Sequence, residues 1–301
     1  MNYSVYKLKF TSGVHFGTGL LSDTSYTFPA DVLFSALYIE ALKMGQEKPF
    51  YSAVKSGQLV LSDAFPYVGE QYLIPKPMIY VESNKKGDSA EKKKYKKLKY
   101  LPLEQLEDFL AGKLDTDRIP DEYGTIQQQT MTSVRNEEET KPFHVGTCYF
   151  EEGNGLYVIA AYETEEQLMM LDELLEAVSF SGIGGKKNSG LGRFTFTRGR
   201  NTKLLEQYLN RKSDRFMLLS SSLPADDELE SALEDASYLL SKRSGFVASD
   251  QYADEWQKKR DLYVFAAGSC FKNRFAGDIF DVSMGGNHPV YRYAKPMFMG
   301  V

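Results

Sequence analysis

The chain has 301 residues, 42% of them hydrophobic and 26% charged, a composition typical of soluble globular proteins and a length sufficient for two domains. Its apolar runs are far shorter than the roughly 18 residues of a membrane-spanning helix, and the N-terminus has no signal-peptide pattern, so we expect a cytoplasmic protein with no membrane partner. Cys148 and Cys270 are isolated and the three histidines are scattered, which predicts free thiols, no metal site and no cofactor.

The net charge of −5 taken alone argues against a nucleic-acid partner, but the basic residues are concentrated in two segments. Residues 85–99 contain eight lysines and two acids, and residues 181–203 contain six basic residues and no acid, so each segment has a net charge of +6. The rest of the chain has a net charge of −17. We therefore expect a polyanion to bind at a few focused positions, whereas the acidic remainder favours protein partners.

The first predicted elements are a strand and a helix. Polar and apolar residues alternate from Tyr3 to Phe10, which predicts the strand. Apolar residues at helical spacing predict the helix over residues 32–44, with Asp31 as its N-cap and Gly45 at its C-terminal end.

The middle of the chain contains further strand and helix patterns. A strand is predicted at residues 59–65, a solvated loop at the lysine-rich residues 85–99, and a hairpin made of residues 143–150 and 156–162. A capping box beginning at Thr164 predicts a helix that ends at a glycine-rich loop, residues 181–192, and a strand follows that loop.

The predicted elements of the first two hundred residues have the order strand, helix, two strands, helix, strand. This is the βαββαβ order of a ferredoxin-like domain, and the rest of the chain partly repeats it. We therefore predict an α+β fold with two ferredoxin-like (RRM-like) βαββαβ domains in tandem. The first would span residues 1–200, with an insertion at about 83–142, and the second, partly degenerate, residues 201–301.

The glycine-rich loop contains five glycines in eleven residues. It is not a P-loop, because Leu191 and Gly192 follow Gly190 where that motif needs Lys and then Ser or Thr. It is not a dinucleotide fingerprint either, because Lys187 stands at a required glycine and a strand follows the loop. Glycine-rich backbone can present N–H groups to phosphate oxygens, with Lys186 and Lys187 adding charge. A plain flexible surface loop is the alternative.

Several motifs of the chain resemble, in their order, the RAMP (repeat-associated mysterious protein) superfamily of CRISPR RNA-binding proteins. The glycine-rich loop is the most specific of them, and the others favour one branch, the fourth subunit of the type III-A Csm interference complex. These other motifs are His15–Gly17, Phe28–Leu37, Leu61–Pro66, Val134–Asn136, Lys141–Phe143, Gly155–Tyr157 and Tyr293–Pro296.

The resemblance implies a ribonucleoprotein subunit with no reaction of its own, acting in antiviral defence. Such a subunit holds the 5′ repeat-derived tag of the guide CRISPR RNA and links the large polymerase/nuclease subunit to the backbone RAMP subunit. By analogy, residues from about Thr125 to Lys141 form a thumb-like hairpin near the tag. The expected RNA-binding residues are His15, Phe16, Gly17, Arg135, Gly182, Gly184, Gly185, Lys186, Lys187, Asn188, Ser189, Gly190, Gly192 and Arg193.

Two other functions remain open at this point. Repeat-processing members of the same superfamily are metal-independent RNA endonucleases that use a histidine, and His15 lies at the corresponding position after the first strand. A catalytic histidine needs a partner, however, and none is visible near it in the sequence. The second alternative is a plain protein-interaction scaffold, for which the acidic remainder of the chain would suit basic partners.

Overall fold

The computed structural model describes residues 1–81, 89–133 and 141–301. In these ranges the strands are β1 (Asn2–Phe10), β2 (Phe16–Gly17), β3 (Thr24–Ser25), β4 (Leu59–Leu61), β5 (Phe65–Val68), β6 (Gln71–Pro75), β7 (Tyr100–Pro102), β8 (Gly124–Ser133), β9 (Lys141–Phe150), β10 (Asn154–Tyr162), β11 (Phe194–Arg198), β12 (Phe216–Leu218), β13 (Leu240–Arg243), β14 (Leu262–Phe265), β15 (Cys270–Phe271), β16 (Asp278–Asp281), β17 (Tyr291–Ala294) and β18 (Phe298–Gly300). The α-helices are α1 (Ala30–Met44), α2 (Glu47–Lys55), α3 (Ser89–Lys97), α4 (Leu106–Leu110), α5 (Glu165–Ser181), α6 (Lys203–Leu209) and α7 (Leu229–Leu233).

The largest sheet has seven strands in the order β11-β1-β10-β5-β6-β7, with β4 also pairing with β10. β1 confirms the first predicted strand and lies between β10 and β11, antiparallel to both. The chain passes through α1 and α2 between β1 and β4, and through α5 between β10 and β11. These elements therefore follow one another in the predicted order of strand, helix, two strands, helix, strand.

Both faces of this sheet are buried. In β1, Tyr6 and Leu8 belong to a hydrophobic cluster with α1 and α5, whereas Val5 belongs to a second cluster on the opposite face. The second cluster also contains Met217 and Met299, so the two halves of the chain share a hydrophobic core. Burial on both faces explains why the sequence of β10 is a continuous apolar run instead of an alternating one.

The second half of the chain forms smaller antiparallel sheets. One has three strands in the order β15-β12-β18, and β13–β14 and β16–β17 are two-stranded. The α+β class with antiparallel sheets is thus confirmed. Two ferredoxin-like domains in tandem, with an insertion at 83–142 and a boundary near residue 200, stay a prediction, because between β12 and β18 the chain forms one short helix, α7.

The predicted N-cap of the first helix is wrong. α1 begins at Ala30 with Pro29 in the cap position, and the Asp31 side chain is paired with Arg243 and Arg292 instead of capping the helix. An acid in the first turn and an acid at the N-cap have nearly the same local sequence pattern. The deciding contacts come from residues more than two hundred positions away. The predicted helix end is confirmed, since Gly45 has φ +70°.

Two other predictions need correction. β9 pairs with β8 over ten residues and not with β10, which is already occupied by β1 on one side and by β4 and β5 on the other. The lysine-rich segment is helical from Ser89 to Lys97, and the Tyr95 ring stacks on Phe109 at 5.9 Å, so this part is packed against the body. The capping box of α5 is confirmed, because Thr164 and Gln167 exchange hydrogen bonds between side chain and main chain.

No helix within the described ranges has the length and apolar character needed to cross a membrane. Nor do three or more His, Cys, Asp or Glu side chains converge there in a way that would hold a metal ion. Both cysteines are free and buried, in agreement with the expectation of free thiols.

Candidate nucleic-acid interface

A cleft of about 1350 Å³ lies between the β2–β3 hairpin, the start of α1, the end of α3 and β13. Its lining is strongly basic. The described residues that line it include one carboxyl group, that of Asp63, and six cationic side chains. Lys242 and Arg243 are paired with Asp261 and Asp31 outside the lining, and the other four cations are Lys76, Lys96, Lys97 and Lys99. Like charges converge in this way where the ligand is an anion, because focused positive potential raises the local concentration of a polyanion.

Asp63 does not neutralise the cleft, because its carboxylate is used inside the protein. Oδ1 accepts hydrogen bonds from the main-chain N–H groups of Ala30 (2.7 Å) and Ser221 (2.8 Å), and Oδ2 accepts one from the Ser221 hydroxyl (2.7 Å). Burial raises the pKa of Asp63 to about 6, although these hydrogen bonds oppose the shift. The side chain thereby joins the start of α1 to the C-terminal half of the chain.

His15 lies buried at the wall of the cleft, next to the glycine-rich loop. Its Nδ1 donates a hydrogen bond to the carbonyl oxygen of Gly146 in β9, at 2.7 Å. A carbonyl oxygen can only accept, so Nδ1 holds the proton and Nε2 of the neutral ring is an acceptor. The main-chain oxygen of His15 accepts a hydrogen bond from the N–H of Gly185 at 2.9 Å. The hairpin therefore fixes the ring of His15, and the glycine-rich loop fixes its main chain.

The glycines of the loop are required by its close approach to His15. A Cβ on Gly185 would lie 2.6 Å from Cδ2 of the His15 ring, and a Cβ on Gly184, which has φ +96°, would lie 2.6 Å from the His15 oxygen. The base of the loop is closed by hydrogen bonds from Ile183 N–H to Gly192 O and from Gly192 N–H to Gly13 O, both 2.9 Å. These glycines thus shape the cleft wall as well as the loop.

The expected phosphate cradle is smaller than the whole loop. Several of its N–H groups donate inside the protein, as those of Gly185 and Gly192 do. At the apex, where the chain makes a short 3₁₀ turn over Lys187–Ser189, the N–H groups of Lys186, Lys187 and Asn188 find no acceptor within the described part of the chain. Backbone N–H groups in such a turn are the donors that a phosphate accepts from.

The two apical lysines point in different directions. The Lys186 ammonium lies 4.6 Å from the centre of the Phe143 ring in β9, a cation–π contact between the loop and the β8–β9 hairpin. Lys187 faces the C-terminal part of α1, where burial and then the charge of Lys43 lower its pKa while Glu40 raises it. Lys186 is therefore the better placed of the two to meet a ligand beside the hairpin.

The structure brings part of the predicted set of RNA-binding residues together. The residues that line the cleft are His15, Phe16, Gly17, Gly184 and Gly185. Gly182 and Gly192 are buried at the base of the loop, and the residues outside the lining at or near its apex are Lys186, Lys187, Asn188, Ser189, Gly190 and Arg193. Arg135 lies in residues 134–140, outside the described residues.

Sequence reasoning missed the opposite side of the cleft. Lys96, Lys97 and Lys99 belong to the first basic segment, which the sequence predicts to be a solvated loop and the structure places at the end of α3 and just after it. Lys242 and Arg243 lie in β13 and belong to neither basic segment. Their local sequence gives no signal, because packing between distant parts of the chain places β13 beside α1.

The β8–β9 pair fits the hairpin expected from about Thr125 to Lys141, although it is longer. Its strands pair in register from Gly124–Phe150 at the base to Ser133–Lys141. Gly146, which pairs with Gln128, attaches the hairpin by donating its N–H to the oxygen of Leu21 at 2.9 Å, and a Cβ there would lie 2.5 Å from the Ser22 oxygen. The strands therefore project from a firm attachment next to His15.

Known proteins are similar to this chain in sequence and in fold. The family model described as the CRISPR Csm4 C-terminal domain matches residues 211–301. The chain is 41% identical to the CRISPR system Cms protein Csm4 of Mycobacterium tuberculosis (strain CDC 1551 / Oshkosh), over 100% of this chain and 98% of the relative. It is 37% identical to the protein of the same description from Streptococcus thermophilus, over 99% and 98%.

Solved structures agree with the fold. The crystal structure of the Csm3–Csm4 subcomplex in the type III-A CRISPR-Cas interference complex contains a chain that matches with a TM-score of 0.70 and 19% identity, covering 99% of both chains. A chain of the Csm1–Csm4 cassette in complex with pppApA matches with a TM-score of 0.62 and 19% identity, covering 100% of this chain and 98% of that one. Together with full-length identities of 37% and 41%, these matches confirm the predicted resemblance, and the chain belongs to the Csm4 family of CRISPR proteins.

Proposed function

We propose that this chain is a non-catalytic RNA-binding subunit of a type III-A CRISPR Csm ribonucleoprotein complex, and that it holds the 5′ repeat-derived tag of the guide RNA in the basic cleft. The observation that carries the proposal is the charge of the cleft, with six cationic side chains against one buried carboxyl group beside the glycine-rich loop. Phosphate backbones supply the matching negative charge.

The same proposal includes two protein partners. The solved relatives are named as assemblies with Csm3 and with Csm1. We infer that this chain links the large polymerase/nuclease subunit to the first backbone RAMP subunit. The net charge of −17 outside the two basic segments supports this role, because an acidic body repels RNA away from the cleft and leaves surface for protein contacts.

Two features of the cleft support binding without catalysis. Metal-independent cleavage of RNA needs an acid and a base near the scissile phosphate. Nδ1 of His15 is held by Gly146, and the one carboxyl group in the lining, Asp63, already accepts three hydrogen bonds. Neither Nδ1 of His15 nor the carboxyl group of Asp63 is therefore free to transfer a proton to bound RNA.

The cleft assignment is tested by reversing two charges on its lining. Lys96→Glu with Lys97→Glu should weaken binding of a fluorescently labelled tag RNA by the purified chain about ten-fold or more, because both ammonium groups line the cleft. The slope of log affinity against log salt should become shallower by about 0.7 for each phosphate that is no longer neutralised. The matched control is Lys48→Glu with Lys113→Glu, at two exposed positions that do not line the cleft.

Equal loss of affinity in both double variants would mean that only total charge matters, and would refute the cleft assignment. The complex is tested separately by affinity purification of the tagged chain from its host. We expect a small guide RNA, a large polymerase-like subunit and a backbone subunit to co-purify with it. Recovery of the chain without RNA or these proteins would contradict the proposed role.

A further inference from the structure

Asp31 lies at the centre of a buried ion-pair cluster at the edge of the basic cleft. Arg243, at the end of β13, donates two hydrogen bonds to it, from Nε to Oδ2 at 3.1 Å and from Nη2 to Oδ1 at 3.0 Å. Arg292 in β17 also donates to Oδ2 from Nη1. One carboxylate in the first turn of α1 therefore holds two guanidinium groups from the C-terminal half of the chain.

The cluster has more positive than negative charge. Asp31 and Arg292 are both buried, and Nε of Arg292 finds no hydrogen-bond partner among the described residues. Lys259 lies close enough for its pKa to be lowered, first by burial and then by the charge of Arg292, with Arg243 adding to the effect and Asp31 opposing it. An excess of positive charge in a partly desolvated site is unfavourable unless an anion binds there.

Arg243 is the member of this cluster that reaches the cleft. Its side chain keeps 21% of its surface exposed, and the residue is part of the cleft lining. Nε and Nη2 are used by Asp31, whereas Nη1 has no partner in the ranges that the structure describes. The two-point contact fixes the plane of the guanidinium, so its remaining N–H donors are preoriented for a second anion.

We propose that Arg243 binds a backbone phosphate of single-stranded RNA in the cleft and that Asp31 is the positioning residue that orients its guanidinium. This inference rests on the proposed RNA-binding function and extends it to the C-terminal half of the chain. The RNA would then contact β13 as well as the lysines Lys96, Lys97 and Lys99. The C-terminal half would form a wall of the RNA site as well as a scaffold.

Two substitutions of Arg243 separate charge from geometry. Binding of the labelled tag RNA by the full chain is measured over a range of salt concentrations. Arg243→Gln should weaken binding about ten-fold and make the salt slope shallower by about 0.7, the value for one phosphate contact. Arg243→Lys keeps the charge but not the planar fork, so we expect weaker binding with a nearly unchanged salt slope. The control is Arg118→Gln, an exposed arginine outside the cleft.

Asp31→Asn gives a test in which the two explanations predict opposite signs. Removing a negative charge beside a basic cleft strengthens RNA binding if total charge alone matters. A positioning role predicts weaker binding, a shallower salt slope, and no additional effect when Asp31→Asn is combined with Arg243→Gln. Asp31→Asn leaves the buried Arg292 without its counter-charge and can unfold the chain, in which case the two Arg243 variants decide the contact alone.

The outcomes distinguish this inference from the function on which it rests. If the unmodified chain does not bind tag RNA, the proposed function is refuted. If the unmodified chain binds and Arg243→Gln matches it in affinity and salt slope, the phosphate contact is refuted while the proposed function stands. Tighter binding by folded Asp31→Asn would refute the positioning role.

Discussion

The imidazole of His15 is tied to the β8–β9 hairpin through Gly146, whose carbonyl oxygen accepts the Nδ1 proton at 2.7 Å. This contact couples the turn after β1, the hairpin and the glycine-rich loop, because Gly185 donates its N–H to the His15 oxygen. The tautomer is set by the contact, and Nε2 is left as an acceptor near Gly17, where a Cβ would lie 3.1 Å away. We therefore expect His15 to accept a hydrogen bond from a ribose hydroxyl or a base N–H group of bound RNA.

The first prediction concerns this acceptor. His15→Ala should lower the affinity for tag RNA about 2- to 10-fold, the effect of removing one hydrogen bond of about 0.5–1.5 kcal/mol. The hydrogen-bond partner is identified with tag RNAs that each carry one 2′-deoxy or one base-amine substitution. The RNA that lacks the partner group should bind to His15→Ala with the same affinity as the unsubstituted tag RNA. His288→Ala, at a half-buried histidine outside the cleft, is the control. Additive decreases in affinity at every substituted position would contradict the hydrogen bond.

The second prediction separates binding from cleavage. The pure chain, incubated with repeat RNA in EDTA, should leave the RNA intact, since Nδ1 of His15 and the carboxyl group of Asp63 are both engaged in hydrogen bonds within the protein. The products are followed on a denaturing gel over several hours, with His15→Ala in parallel. Specific cleavage that disappears in His15→Ala would establish the endonuclease alternative in place of the non-catalytic role.

The sequence predicts one side of the cleft and not the other. The glycine-rich loop and His15 are recognisable because their local patterns, closely spaced glycines and a histidine after a strand, do not depend on distant contacts. Arg243 and Asp31 are not recognisable, because each has an ordinary local setting and their pairing depends on β13 packing beside α1. The predicted pairing of β9 with β10 is wrong for a related reason, since the short turn before β10 suggests a hairpin that the wider sheet overrides.

The third prediction uses the pH dependence of Asp63. Its pKa is raised to about 6, above the value of the unfolded chain, so the folded state binds the proton more tightly. The carboxyl group then contributes most to stability at low pH, and this contribution falls as the pH rises from about 4 to 6, by roughly 3 kcal/mol at most. Asp63→Asn has no proton to titrate. It keeps the three hydrogen bonds, because the Ser221 hydroxyl can accept one from the new amide N–H.

We therefore expect the free energy of unfolding of Asp63→Asn, relative to the unmodified chain, to increase as the pH rises over this range. Urea unfolding at pH 4.5, 5.5 and 7 measures the difference, and other titrating groups cancel in the comparison. A difference that stays constant with pH would show that Asp63 titrates normally in the folded chain.

The fourth prediction concerns the thiols. Burial raises the pKa of Cys148 and of Cys270 to about 12, so neither is a thiolate near neutral pH. Reaction with a thiol reagent at pH 8 should be slow in the folded chain and rapid in urea, with two thiols titrated per chain. Rapid labelling of either cysteine without denaturant would show that its surroundings open in solution.

The fifth prediction compares two glycines of the same loop. A Cβ on Gly185 would lie 2.6 Å from the His15 ring, whereas a Cβ on Gly190, which has φ +84°, would have nothing within 4 Å. Gly185→Ala should therefore displace His15. We expect a clear decrease in RNA affinity and a smaller decrease in the free energy of unfolding. Gly190→Ala should lower stability through backbone strain of about 1 kcal/mol, with little effect on RNA binding. Thermal unfolding and RNA titration of both variants give the comparison, and a larger decrease in RNA affinity for Gly190→Ala would place the RNA contact at the loop apex instead of the cleft wall.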